Sequence, residues 1–417
     1  GTAPSYTLTG NRSGYFFIEQ DKTIAPVGTN VNFYAKESMY SSHINAGPKA
    51  SNWSISPTPY KVNGTDYNPP DHDGEISLTL GSTWSAPDAG KYTITAHASP
   101  LTNPGSGSRA TAEITLVGID RIEKIASNDV AFMKSISTGD MNYKLCVEKG
   151  KTLGLKAFPA GSSSFPENQP VWVSSGSWPF SNYIIGNKEG VDTVTIDTEH
   201  EDTDFSITVS CGTSSKKVAI STFNYKYTIF AKSPSNNMPI HIKITGDFDV
   251  GHSFWRTEIT NNSVEPEDID LGTYKNRINE SWGYYPTPGV NAANDFTCFA
   301  YIKNDTGHGY TKKREKIITR SQCESVLNFT NIIASTPGTY TLAETIVIID
   351  VPASLATTWP LGYYCRTKTE KNCTTVAIDS ANLVGISLSG HHEVLDSQYG
   401  IQYRFIGHSP AKLSMEL

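Results

Sequence analysis

Alternation of apolar and polar residues dominates the first half of the chain. Between positions 111 and 116, and again between 92 and 97, every second residue is apolar or small and its neighbours are polar. A period of two is that of a strand with one buried face. Further strand patterns lie at 31–35 and 205–209. The first 223 residues therefore predict an all-β architecture of short strands and turns.

Helical patterns begin only after residue 223. Thr319-Arg320-Ser321-Gln322 reads as a capping box, with apolar residues at helical spacing behind it and Pro337-Gly338 as the end of the helix. Strand patterns continue at 227–231 and 240–244. This last segment is therefore predicted to be α+β.

Length and charge set further bounds. A chain of 417 residues corresponds to about three domains, and the patterns place them at 1–118, 119–223 and 224–417. Lys and Arg number 34 against 41 Asp and Glu, without a run of like charge, so nucleic acid is not expected as a partner. No apolar stretch has the length of a membrane span. The oligomeric state is left open.

Tryptophan and cysteine positions resemble immunoglobulin-like domains. The order Cys146, Trp172, Cys211 is similar to the domains in which a disulfide joins two sheets across a core Trp. Trp53 takes the matching place in the first segment, which has no cysteine. The resemblance implies two immunoglobulin-like β-sandwiches and a Cys146–Cys211 disulfide. Such a bridge implies an oxidising compartment, and hence a secreted, cell-surface or periplasmic protein.

Cys373 is the leading candidate for chemistry. Asn372 is a predicted N-cap, Gly385 the predicted stop, and Cys373 thus the first residue of a second helix. The positive end of the helix dipole and the unpaired N–H groups there stabilise a thiolate. His252, in a strand-like segment, is the best-placed base.

Three motifs resemble one known family. Gly251-His252-Ser253-Phe254-Trp255, Gly283-Tyr284-Tyr285-Pro286 and Asn372-Cys373-Thr374-Thr375 look like the permuted papain fold of NlpC-type and lecithin:retinol acyltransferase-like cysteine hydrolases. The resemblance covers about residues 240–390. It implies a catalytic domain in which Cys373 attacks a carbonyl carbon and His252 transfers the proton.

The resemblance also implies roles for other residues. Asp305 or His308 would orient His252, with Asp295 as a fallback. Trp255, Tyr284, Tyr285 and Asn372 are expected at the substrate site, where they position rather than react.

Two alternatives stay open. Cys298, Cys323, Cys365 and Cys373 form an even set that could pair completely, and a live enzyme needs Cys373 unpaired. The chain could then be a non-catalytic surface or adhesion protein with a degenerate papain-like domain. A thiol acyltransferase is the other alternative.

The leading hypothesis is a secreted bacterial cysteine hydrolase, a peptidase or amidase, that acts on a peptide, a protein or peptidoglycan. The immunoglobulin-like domains would serve as spacers or targeting modules. His391-His392-Glu393 lacks the spacing of a zinc peptidase motif, so neither a metal nor a cofactor is expected.

Overall fold

The computed structural model of the chain describes residues 7–8, 16–37, 50–56, 61–62, 65–66, 75–78, 89–98, 109–176, 182–200, 203–234, 238–245, 247–287, 297–367 and 370–417. It divides into two compact units, Gly1–Ser221 and Thr222–Leu417. The division lies two residues before the predicted boundary at 223. The protein is multidomain and rich in β-structure.

The first unit consists of mainly antiparallel sheets. Its strands are β1 (Thr7–Leu8), β2 (Phe16–Gln20), β3 (Ile24–Pro26), β4 (Val31–Glu37), β5 (Ala50–Ser56), β6 (Lys61–Val62), β7 (Thr65–Asp66), β8 (Glu75–Leu78), β9 (Gly90–Ala98), β10 (Arg109–Ile125), β11 (Ala131–Thr138), β12 (Met141–Glu148), β13 (Leu153–Ala160), β14 (Val171–Gly176), β15 (Ile184–Ile185), β16 (Thr193–Ile196), β17 (Asp204–Cys211) and β18 (Ser214–Phe223). Within these sheets, β3 and β10 form a parallel pair.

Two immunoglobulin-like sandwiches follow one another along this unit. In the first, β2, β4 and β8 are neighbours in one sheet, and β5, β9 and β10 are neighbours in the other. In the second, β10, β13, β16 and β15 repeat the A-B-E-D order of such domains, and β14, β17 and β18 repeat the C-F-G order. The sheets thus have the predicted architecture. The side chain of Trp53 lies outside what the structure describes.

Strand β10 belongs to both sandwiches. Its residues up to Leu116 pair with β9, and those from Gly118 onward pair with β13. The last strand of the first sandwich is therefore also the first strand of the second. The predicted boundary at 118 lies at this handover, inside a continuous strand.

The core of the second sandwich lies between its two sheets. Leu155 and Ile196 come from one sheet and Trp172 and Ile207 from the other, and all four are buried in one apolar cluster. Strand β16 buries alternate residues, as the period of two predicts, whereas β12 buries four consecutive residues at its end. Trp172 lies in this core, as the Cys-Trp-Cys order implies.

The predicted Cys146–Cys211 disulfide is absent. Cys211 is a free thiol whose Sγ lies 3.1 Å from the carbonyl oxygen of Val117. Cys146 lies on β12, which belongs to a hairpin inserted between the A and B strands, so both cysteines are in one sheet with β18 between them. Strands flanking a third are roughly 10 Å apart, which is beyond the reach of a bridge. Because this disulfide does not form, Cys146 and Cys211 do not indicate an oxidising compartment.

We expect Cys211 to react with iodoacetamide in denaturant without prior reduction, because no bridge protects its sulfur. Peptide mass spectrometry of the alkylated chain measures this. Recovery of a peptide in which Cys146 and Cys211 are joined would contradict the structure.

The second unit combines sheets and helices. Its elements are β19 (Tyr225–Lys232), β20 (His241–Lys243), β21 (Asp247–Asp249), β22 (His252–Ile259), β23 (Glu280–Pro286), β24 (Thr297–Asn304), β25 (Lys312–Ile318), α1 (Arg320–Ser335), β26 (Thr339–Thr341), β27 (Thr345–Asp350), β28 (Gly362–Arg366), α2 (Cys373–Asn382), β29 (His391–Gln398), β30 (Ile401–His408) and α3 (Pro410–Glu416).

Two antiparallel sheets organise the second unit. The larger has the order β25-β19-β22-β23-β24-β26, and the smaller has the order β28-β27-β30-β29. Helix α2 packs against β22 and β23, near the middle of the larger sheet. This packing brings the first residue of α2 to the first residues of β22.

Local capping signals explain the helices. Thr319 and Gln322 form the predicted capping box of α1, and Asn372 is the N-cap of α2. Helix α3 was not predicted, although Ser409 followed by Pro410 is a helix-start signal. Among the described residues, no helix is long and apolar enough to cross a bilayer.

Candidate active site

Cys373 lies in the first turn of α2, where the N-cap fixes the backbone. The side-chain oxygen of Asn372 accepts hydrogen bonds from the N–H groups of Thr374 and Thr375, at 2.9 and 3.0 Å. Cys373 is a free thiol, and the residue is 2% exposed. Its sulfur therefore lies at the positive end of the helix dipole, in a dry environment.

His252 and Cys373 lie beside each other across the contact between β22 and α2, close enough for each to shift the pKa of the other. A second link lies beside them, since Ser253 Oγ and Thr374 Oγ1 are 3.1 Å apart. The imidazole of His252 also lies against Tyr285, with ring centroids 4.4 Å apart. The ring orientation is thus fixed by neighbours on two strands and a helix.

Asp305 completes a line of three groups. His252 Nε2 lies 2.7 Å from Asp305 Oδ2, and the Tyr285 hydroxyl donates to Asp305 Oδ1 at 2.5 Å. The backbone N–H of Asp305 donates to the carbonyl of Ser281, which anchors the residue at the end of β24. Because Nε2 is engaged by Asp305, Nδ1 is the ring nitrogen that is left to face Cys373.

Gly283 makes room for this line. A Cβ built on it would overlap Asp305 Oδ2 and would lie 2.6 Å from His252 Nε2. Gly283 pairs with Phe254 in the register of β23 and β22, two residues beyond His252. A bare backbone at this point lets the imidazole and the carboxylate meet over the sheet.

The charges of the pair favour a thiolate and an imidazolium. Burial disfavours the charged ring of His252, but hydrogen bonds to Asp305 and Cys373 outweigh this effect and raise its pKa to about 9. Burial likewise disfavours the thiolate, but the hydrogen bond and positive charge of His252, with the backbone N–H of Ser253, lower the pKa of Cys373. A lowered thiol pKa beside a raised imidazole pKa is the pattern of an activated nucleophile.

Tyr340 was missed by the sequence analysis. Its side chain is buried, stacks on Tyr284 with ring centroids 5.7 Å apart, and lies beside Cys373. Burial, and then the neighbouring thiol, raise the pKa of its hydroxyl well above the ordinary value, so the phenol keeps its proton. Its partner is 33 positions away along the chain, so no local pattern could have indicated it.

His308 lies beside the line but outside it. Its exposed ring meets His252 edge-on, with centroids 5.3 Å apart, while Asp305 takes the hydrogen bond. Burial and the positive charge of His252 lower the pKa of His308. Of the two predicted orienting residues, the structure therefore brings Asp305 to the histidine. The fallback, Asp295, lies outside the described residues.

Three predicted substrate-site residues have structural roles instead. Trp255 is fully buried and donates from Nε1 to Thr330 Oγ1 at 3.1 Å. Tyr284 is fully buried and donates to the carbonyl of Pro337 at 2.7 Å. Asn372 uses its oxygen as the N-cap and its Nδ2 on Glu370, at 2.7 Å. Tyr285 lies against His252 and donates to Asp305.

Comparison with known proteins identifies no family. No protein-family model and no curated protein sequence matches the chain. Among solved structures, it is similar to the I-band fragment I67-I69 from titin, with 12% identity, coverage of 69% of this chain and 81% of that chain, and a TM-score of 0.23. A chimeric titin Z1Z2 shows 15% identity over 52% and 96% of the two chains, with a TM-score of 0.20. The D0-D1 domain of intimin shows 10% identity over 51% and 99%, with a TM-score of 0.17.

These neighbours all have TM-scores far below 0.5. At such TM-scores they carry no argument about function, and they give no support for a papain-like fold in the second unit. The side chains around Cys373 are therefore the basis for proposing a function.

Proposed function

We propose that the second unit is a papain-like, thiol-dependent hydrolase that acts on an amide or ester. The observation that carries this proposal is that Cys373 lies beside His252, whose imidazole is hydrogen-bonded to Asp305. A thiol, an imidazole and a carboxylate in this order correspond to a nucleophile, its base and the group that orients the base.

The proposed reaction has two halves. The Cys373 thiolate attacks the carbonyl carbon, and the His252 imidazolium donates its proton to the departing amine or alcohol, which leaves a thioester on the sulfur. A water molecule then attacks the thioester while His252 accepts its proton, and the acid departs with Cys373 restored. Asp305 holds the imidazole in orientation throughout.

The oxyanion of each half would be stabilised at the start of α2. Cys373 is the first residue of the helix, where backbone N–H groups have no partner within the helix, and the Tyr340 hydroxyl lies beside the same residue. A phenol that keeps its proton can donate to a developing oxyanion. We include both groups in the proposal.

The proposed substrates are peptides, proteins or peptidoglycan, whose amide bonds suit a cysteine nucleophile. The immunoglobulin-like sandwiches are proposed as spacer or targeting modules, since such domains supply no chemistry themselves. An acyltransferase would use the same thioester and differ only in the acceptor.

We expect 4-nitrophenyl acetate to acetylate Cys373, with a burst of about one equivalent of 4-nitrophenol per chain. Mass spectrometry locates the acetyl group, and Cys373→Ala should abolish the burst. Added glycinamide separates hydrolysis from transfer, because a transferase would form acetylglycinamide in preference to acetate. A burst of the same size in Cys373→Ala would refute the proposal.

A non-catalytic surface protein is the second candidate. The observation that favours it is burial, since Cys373 is 2% and His252 8% exposed, and a substrate must reach both. In that case neither 4-nitrophenyl acetate nor a small alkylating agent should react at Cys373 in the folded chain.

A further inference from the structure

Two carboxylates and an imidazole that take no part in the proposed reaction meet at one end of the smaller sheet. They belong to Glu344, Glu370 and His408, and one ligand atom from each lies within 4.8 Å of the others. Glu344 directly precedes β27, Glu370 lies between β28 and α2, and His408 ends β30. We propose that these three residues form a binding site for a divalent transition-metal ion, with Zn²⁺ as the best fit.

Glu370 is held firmly for this role. Its side chain is 3% exposed, and its Oε2 lies 2.7 Å from His408 Nδ1. The backbone N–H of His408 donates to Oε1 at 2.9 Å, and Asn372 Nδ2 donates to the same oxygen at 2.7 Å. Hydrogen bonds of this kind orient metal-binding carboxylates in known sites.

Gly407 keeps the approach to Glu370 open. A Cβ on it would lie 2.8 Å from Glu370 Oε1 and 3.2 Å from the Cα of Ala343, and its φ of 152° disfavours a side chain. The chain thus has a bare backbone where the carboxylate crosses the sheet end. This is a second feature shaped around Glu370, independent of the hydrogen bonds.

The donor types select the ion. Imidazole nitrogen and carboxylate oxygen are both zinc ligands, and three protein ligands leave the fourth position of zinc to water or another side chain. Calcium and magnesium prefer sites made of oxygen alone. A dication would also offset the repulsion of two carboxylates, one of them buried.

His391 is placed to support the site. It is the cross-strand partner of His408 in β29 and β30, and its Nε2 lies 3.6 Å from Glu344 Oε1. His391 would orient Glu344 or complete the coordination. The next residue, His392, instead has its Nδ1 3.3 Å from Ser409 Oγ, so it serves as a matched control.

The ligands are scattered over 65 positions, so motif spacing could not reveal them. The prediction of no metal followed from the spacing of short motifs, in which His391-His392-Glu393 does not match a zinc peptidase. Through Asn372, which bonds to Glu370 and caps α2, a bound ion would brace the segment that leads to Cys373. The inference does not rest on the proposed hydrolase activity.

Calorimetric titration of the full chain with Zn²⁺ tests the site. All measurements are made in a Cys373→Ala background, so that the thiol and His252 cannot hold the ion together. We expect about one equivalent per chain, a loss of affinity of at least about tenfold in Glu344→Gln and His408→Ala, and unchanged binding in His392→Ala. Zinc should raise the melting temperature of the background chain but not of Glu344→Gln.

Glu344 is 38% exposed, so Glu344→Gln should fold even if His408→Ala does not. Thermal melts without zinc verify this. The proposal is overturned if the background chain binds far less than one equivalent, if Glu344→Gln binds as tightly as the background, or if His392→Ala loses as much affinity.

Discussion

Replacing His252 with alanine should slow the alkylation of Cys373 by iodoacetamide at pH 6 by about ten- to a hundredfold. An ordinary thiol with a pKa near 8.5 is only about 0.3% thiolate at this pH. In the folded protein, His252 lowers the pKa of Cys373, and without that histidine burial disfavours the thiolate. The gain in thiolate is partly offset because a less basic thiolate is a weaker nucleophile. Rates are measured by mass spectrometry of the peptide that contains Cys373.

The pH dependence supplies an independent check of the same pair. Because the folded pKa of His252 is raised to about 9, the imidazolium persists below that pH and is lost above it. Because the pKa of Cys373 is lowered, the wild-type rate should decline less steeply below pH 8 than that of an ordinary thiol, and it should change again near pH 9. In His252→Ala this step should vanish. His308→Ala is the matched control, because that exposed ring meets His252 only edge-on. If the wild-type rate shows the pH dependence of an ordinary thiol, the proposed ion pair between Cys373 and His252 is contradicted.

Local signals explain which parts of the fold could be predicted. The capping box of α1 involves residues three positions apart, Thr319 and Gln322, and the N-cap of α2 is a single Asn. Such interactions join residues that are only a few positions apart in the sequence. The strand patterns are equally local, since alternate burial needs only neighbouring residues. These elements were predicted correctly for that reason.

The failed disulfide shows the limit of the same reasoning. In immunoglobulin-like domains the order Cys, Trp, Cys corresponds to strands B, C and F. In this chain the β11–β12 hairpin adds two strands before strand B. Cys146 therefore lies on the inserted hairpin and shares a sheet with Cys211. Order along a chain does not determine which sheet a strand joins, because that depends on long-range pairing.

The candidate site was predictable only through its reacting groups. Cys373, His252 and Asp305 belong to residue types whose chemistry suggests a role, and motif order connected the first two. Tyr340 and Gly283 matter because of where the fold places them. A tyrosine on a short strand and a glycine within a strand carry no signal of a neighbour across the sheet.

Gly283→Ala should therefore lower the reactivity of Cys373 nearly as much as the removal of His252 does. The added methyl group would overlap Asp305 Oδ2 and crowd His252 Nε2, so the imidazole and the carboxylate would have to separate. We expect Cys373 alkylation at pH 6 to fall at least about tenfold, because a displaced imidazole no longer stabilises the thiolate. Overpacking of this kind also costs roughly 1–3 kcal/mol of unfolding free energy.

Gly309→Ala is the matched control for this prediction. It is the same substitution on an exposed glycine near the site, and a Cβ there would meet nothing within 4 Å. Alkylation rates and urea unfolding of both variants are to be compared with the wild type, and Gly309→Ala should match it in both. If Gly283→Ala alkylates at the wild-type rate while losing stability, the glycine serves packing alone. Contact between His252 and Asp305 would then not control the reactivity of Cys373, and the carboxylate would have no part in the proposed mechanism.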